Sequence, residues 1–155
     1  MHDQQEFEAH LRSIRRLKPI ATWTVERSQW GEVLARSVGQ EIAPVYRAKV
    51  EENLHWIAPG LGFWLWDLHE LQGGGCFFAP KGIEKIRLHR FGRPLDDVVS
   101  GISAGLCATA LATNELQGEA FERPVKRTEL RLQARRLDRY IRRQPSAPAL
   151  WRVMD

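Results

Sequence analysis

Gly101-Ile102-Ser103-Ala104-Gly105 carries the G-x-S-x-G spacing of a nucleophile elbow, in which a serine on a sharp strand-to-helix turn is activated by a histidine lying further along the chain. All five histidines (His2, His10, His55, His69, His89) precede Ser103, so that order is absent. A helix of small residues packed closely on its neighbour is the plainer reading of this stretch. His69-Glu70 opens like the zinc motif H-E-x-x-H, but the fifth position is Gly73 and the segment has the pattern of a strand. A pair of His69 and His89 across strands would still lack a third ligand, so surface histidines and no metal site are expected.

Gly73-Gly74-Gly75 has no following Lys-Ser/Thr and opens onto a strand rather than a helix, so no row of amides awaits a phosphate. Glycine reaches positive φ freely, and these three read as the tight turn of a hairpin joining Leu71 to Cys76. The adjacent acids Glu51-Glu52 and Asp96-Asp97 do not face one another on a helix or strand, so neither is a general acid/base couple. Asp96 or Asp97 is expected as a cap of the helix that follows. Cys76 and Cys107, 31 positions apart and in no C-x-x-C pair, read as reduced core thiols. No further catalytic constellation and no cofactor motif emerges.

The net charge is +4, and it is concentrated. Between Arg123 and Arg143 nine Lys/Arg face two acids, Glu129 and Asp138. Arg131, Arg135, Arg139 and Arg142 fall near one helical face, where they form a candidate nucleic-acid contact through phosphates; a merely solvated face is the alternative.

These residues must be positioned by a chain of 155 residues, a length that suits one domain over 1–155. The 43% hydrophobic content, with six Trp and six Phe, supplies a core without disulfides or a structural metal. No apolar run approaches the ~20 residues of a bilayer span, and the first residues lack a signal-peptide h-region, so a cytoplasmic protein without a membrane partner is expected. Phe7, Leu11, Ile14 and Leu17 predict one helical face within residues 4–17, stopped by Pro19. Ser28 is expected to cap a second helix that ends at Gly39, and a third runs from about Glu41 to Ile57 with Pro44 in its first turn.

Bulky, alternating residues from Phe63 to Leu71 predict a strand with Trp64, Trp66 and Leu68 on one face. Cys76–Ala79 and Ile83–Phe91 predict two more, and the short connections predict an antiparallel meander. The small residues from Gly101 to Leu116 predict a central buried helix. A last helix from about Lys126 to Arg143 carries Leu130, Ala134, Leu137 and Ile141 on one stripe; Pro145 and Pro148 are expected to end it, and the final apolar tail to dock. The fold class is thus α+β, a single domain with an antiparallel three- to four-stranded sheet packed against several helices.

Three blocks of the chain resemble a known family. "WDLHELQGGGCFFAP" (66–80) is similar to the W-D-F-Y-T-L-S-N-G-G-F-Y-M-A-P signature of the ArdB/KlcA antirestriction proteins, sharing Trp66, Asp67, Leu71, Gly74, Gly75 and Ala79-Pro80. "SGISAGLCATALATNEL" (100–116) resembles the family's S-A-D-A-A-G-I-V-A-T-L-F-A-L-N-H-L, and "QPSAPALWRVMD" (144–155) its H-P-E-A-G-A-I-F-A-A-I-D. The resemblance covers about residues 62–155. It implies a non-enzymatic protein of a plasmid or other mobile element, without a cofactor, that relieves type I DNA restriction by acting on the restriction-modification complex or its regulators. The motif positions make Asp67, His69, Gln72, Asp96, Asp97 and Ser100 the candidate interaction surface. Ile102 stands where the family motif has an aspartate, so a function resting on that acid is not implied for this chain. DNA mimicry requires dense negative charge, which a net positive chain with a basic last helix does not offer.

Overall fold

The computed structural model describes residues 2–61, 65–119 and 128–155. Helix α1 (His2–Ile14) is followed by strand β1 (Thr22–Thr24), a single 3-10 turn (Arg27–Gln29), α2 (Trp30–Val38) and α3 (Ala43–Ile57). Two hairpins come next, β2 (Trp66–Leu71) with β3 (Cys76–Pro80) and β4 (Ile86–Arg90) with β5 (Arg93–Val99). Helices α4 (Gly101–Glu119), α5 (Thr128–Arg142) and α6 (Ala147–Met154) follow. The architecture is α+β, as the switch between helical and strand periodicities predicts. Phe63, Trp64, Lys126 and Arg127, parts of the predicted strand and last helix, lie outside the described residues.

The glycine run is a hairpin turn: Gly73, Gly74 and Gly75 all have positive φ, and Leu71 N donates to Gly75 O at 2.9 Å. It sets β2 antiparallel to β3, and β1 adds to the outer edge of β2, giving a three-stranded sheet in the order β1-β2-β3. Trp66 and Leu68 are buried together, with Trp66 edge-on to Phe78 at 6.0 Å between ring centroids.

The predicted meander does not form, because β4 pairs with β5 instead of β3. Helix α4 occupies the edge of β3 that β4 would have needed. A Cβ on Gly105 would lie 2.3 Å from Phe78 O, so only glycine lets the helix backbone come this close to the strand. Thr109 Oγ1 accepts from Phe78 N at 3.1 Å, and Gln133 of α5 accepts from Cys76 N at 3.1 Å and donates to Cys76 O at 2.6 Å. The edge of β3 is thereby hydrogen-bonded to helix side chains rather than to another strand.

Helix α4 buries most of its residues between Gly101 and Leu116, as its small side chains predict, and leaves Ile102, Asn114 and Glu115 exposed. Around it Tyr46, Leu54, Leu68, Phe77, Phe78, Leu88, Leu106 and Leu150 are fully buried in one continuous cluster, each contributing about 1.5–3 kcal/mol of apolar burial. Cys76 and Cys107 are free thiols inside it.

Several local expectations need correction. Ser28 sits within the 3-10 turn; Gln29 precedes α2 and makes no side-chain cap hydrogen bond. On α1 the buried residue among those whose burial is described is His10, whose ring nitrogen lies 2.7 Å from Gln144 O, whereas Phe7 is 41% exposed and Leu11 and Ile14 are half-buried. That helix rests against α6 rather than against the sheet, so its apolar face is only partly covered. Pro148 does not end α5; it stands in the first turn of α6, where its missing N–H costs no hydrogen bond. Asp96 and Asp97 belong to β5, and the cap of α4 is Ser100, whose Oγ accepts from Ser103 N at 3.0 Å.

Candidate functional site

The start of α4 organises most of the candidate residues. Gly101 lies against the chain ahead of β4, with its N–H donating to Ile83 O at 3.1 Å, and a Cβ there would be 2.5 Å from the same oxygen. This close seat, with the Ser100 cap, fixes where Ile102 and Ser103 stand. Ile102 is 50% exposed. One concavity includes Ile102, and a second is lined by its near neighbours Ser100 and Ser103.

The first, about 260 Å³, is lined by Asp67 and His69 of β2, the segment from Ala79 to Glu84, and Ile102. Asp67 and His69 share a strand face because side chains alternate. His69 is half-buried and stacks on its cross-strand partner Phe77 at 4.9 Å between centroids and 15° between planes. Phe77 stacks in turn on Tyr140 of α5 at 5.7 Å. Burial pushes the His69 imidazole below its ordinary pKa, against the pull of the Asp67 charge, and so favours the neutral ring. His69 is therefore a stacked, half-buried side chain rather than the surface histidine expected, and it does not meet His89, because β2 and β4 are not paired.

The second concavity, about 690 Å³, is lined by Asp97, Ser100, Ser103, Ser146 and Arg152 together with apolar residues including Phe7 and Val99. Asp97 receives a two-pronged bond from Arg152, Nε to Oδ2 at 2.9 Å and NH2 to Oδ1 at 2.7 Å, while Arg152 NH1 reaches Glu6 Oε2 at 2.9 Å. Asp97 thus ties β5 to α6. Asp96, its neighbour, is exposed and lines neither concavity. Ser103 Oγ lies 2.9 Å from Ser146 Oγ. A second hydroxyl cannot serve as the base a nucleophilic serine needs, and the G-x-S-x-G stretch is the packed helix start that its composition suggests.

Gln72 belongs elsewhere. It exchanges two hydrogen bonds with Ala21, receiving from its N–H at 3.2 Å and donating its own N–H to the carbonyl at 2.9 Å, and so holds the approach to β1 at the turn end of β2. Arg131, Arg135, Arg139 and Arg142 are all exposed on α5, and Arg142 pairs with Asp138 at 3.1 Å. Among the described residues no three His, Cys, Asp or Glu side chains come together as metal ligands, and no helix is long and apolar enough to cross a membrane.

Sequence reasoning overlooked Arg152, Ser146 and Gln133. Gln133 carried a signal, since it sits at the spacing of the buried stripe, three residues after Leu130 and four before Leu137. Arg152 carried none, because its partner Asp97 is 55 positions away.

Six helices among the described residues, a three-stranded antiparallel sheet and a separate two-stranded one define the α+β class of this protein. The fold is similar to that of a solved structure of the KlcA and ArdB proteins, with a TM-score of 0.70 and 22% sequence identity over 89% of this chain and 96% of that one. Those proteins are described as showing a novel fold and antirestriction activity against type I DNA restriction systems in vivo but not in vitro. At that identity the likeness is one of fold. No protein-family model and no curated protein matches the sequence.

Proposed function

We propose that this protein is a non-enzymatic antirestriction factor that relieves type I DNA restriction by contacting the restriction-modification complex or one of its regulators. The observation that carries this reading is the shared fold with the KlcA and ArdB proteins across nearly the whole chain. Charge supports contact with protein over imitation of DNA. A DNA mimic must display dense negative charge to its target, whereas this chain has a net charge of +4 and shows exposed arginines along α5.

The contact surface is the start of α4, where Ile102 stands exposed between Asp67 and His69 on one side and Asp97 and Ser100 on the other. An apolar residue ringed by polar groups is the usual composition of a protein contact. Asp67 is the best place to test it, since it is half-exposed and its removal leaves the Asp97 to Arg152 anchor intact. The pair Asp67→Asn with His69→Ala is expected to reduce protection of unmodified phage in a type I restricting strain by about tenfold, the effect of losing ~1.4 kcal/mol of contact energy. The circular dichroism spectrum should be unchanged. Full protection by the folded double variant would remove this surface from the account.

A further inference from the structure

The turn end of β2 and the last two turns of α5 enclose a third concavity of about 260 Å³, lined by Lys18, Gln72, Gly73, Gly74, Arg136, Arg139 and Arg143 among others. Among the described residues, four cationic side chains and no carboxylate line it. Two are held in place. Arg143 donates from Nε to Lys18 O at 2.7 Å and from NH1 to Arg139 O at 2.6 Å, which joins α5 to the chain leaving α1. Arg136 lies across the turn, its Cζ only 2.8 Å from where a Cβ on Gly74 would be, so the absent side chain is what lets the guanidinium settle there. The Gln72 carbonyl oxygen is engaged by Ala21 N, which directs the amide of that side chain.

From this geometry we infer that the pocket is a binding site for a phosphate group, supplied by the phosphodiester backbone of nucleic acid. Converging cations without a counter-charge repel one another, and a bound oxyanion relieves that repulsion while accepting the fixed guanidinium N–H groups. The positive charge comes from side chains, not from a backbone cradle, since Gly74 N already donates to Leu71 O at 3.0 Å. A polymer is favoured over a small phosphate compound because Arg139 of the pocket continues at helical spacings of four into the exposed Arg135 and Arg131 of the same helix, and because the pocket volume is below the ~300–1,000 Å³ typical of sites that enclose a small-molecule ligand. The inference does not depend on the antirestriction reading.

The test titrates the full chain with a short DNA duplex and, separately, with inorganic pyrophosphate, at low and moderate salt. The double variant Lys18→Gln/Arg139→Gln removes two exposed cations without disturbing packing, and Arg136→Gln removes the one seated on the turn. The double variant is expected to weaken duplex binding tenfold or more and to lower the slope of log affinity against log salt by about 1.8, at ~0.9 per lost contact. Pyrophosphate should weaken in parallel, and Arg131→Gln, outside the pocket, should have the smaller effect. Pyrophosphate binding that the variants abolish, without any duplex binding, would retain the phosphate site and overturn nucleic acid as its source. No saturable binding of either probe, or equal affinity in wild type and the double variant, would overturn the site itself.

Discussion

Gln133 shows how much of this fold rests on one side chain. It is fully buried, donates to Cys76 O at 2.6 Å and to Tyr46 Oη at 3.0 Å, and accepts from Cys76 N at 3.1 Å. The chain of bonds continues from Tyr46 Oη to Thr113 Oγ1 at 2.6 Å and from Thr113 to Thr109 O at 2.7 Å, linking α5, α3 and α4. Gln133→Leu keeps the apolar volume but leaves the Cys76 backbone unpaired on the edge of β3. Urea unfolding should show a loss of about 3 kcal/mol, the cost of one or two buried unsatisfied groups. A loss below about 1 kcal/mol would mean that water replaces the amide. The thiols give a pH test. Burial raises Cys76 and Cys107 from 9.0 to about 12. The folded state then holds protons that the unfolded state releases, so stability is complete below pH 9 and falls between pH 9 and pH 12, by up to ~1.4 kcal/mol per unit for each thiol. Chemical denaturation across that range measures the slope, and a flat profile would contradict the burial of both thiols. At this scale the free core cysteines and the glycine turn were legible, because composition and φ preference are local. The Arg152 to Asp97 pair was not, because only the folded chain brings those positions together.

Among the elements, the helices were the most legible, and the strand pairing the least. Small residues marked α4 as the central helix, and the stripe of α5 was visible except for its polar member. What the pattern of alternation lacked was any statement about which edge each strand would use. Gly105 and Thr109 give α4 the edge of β3, and β4 must then find β5. The β4–β5 turn is the local device that makes this possible. Arg90 pairs with Arg93, leaving Phe91 and Gly92 as a two-residue loop with φ of 50° and 76°. Both central residues of this loop need positive φ, which asparagine tolerates and phenylalanine resists. Phe91 is 89% exposed and contributes little burial in return. Phe91→Asn is therefore expected to stabilise the protein by about 1 kcal/mol, seen as a higher melting temperature. A lower melting temperature would show that Phe91 makes a contact the chain needs.

At the scale of the whole molecule, charge and fold point to different aspects of the same behaviour. The likeness is one of fold, so the part in relieving type I restriction stands as the proposal made from it, and the net positive charge weighs against any mechanism that imitates DNA. The candidate surface was only partly legible as a unit. Asp67, His69 and Ser100 gather around the start of α4, while Gln72 belongs to the opposite end of β2 and Asp96 stands apart. A motif orders residues along the chain, and the hairpin then separates its two ends in space. The most direct measurement is the plating efficiency of unmodified phage on a type I restricting strain with and without this protein, beside a strain carrying a type II enzyme. The account predicts a large rise on the type I strain and none on the type II strain. No rise on the type I strain, with the protein present in soluble form, would contradict it.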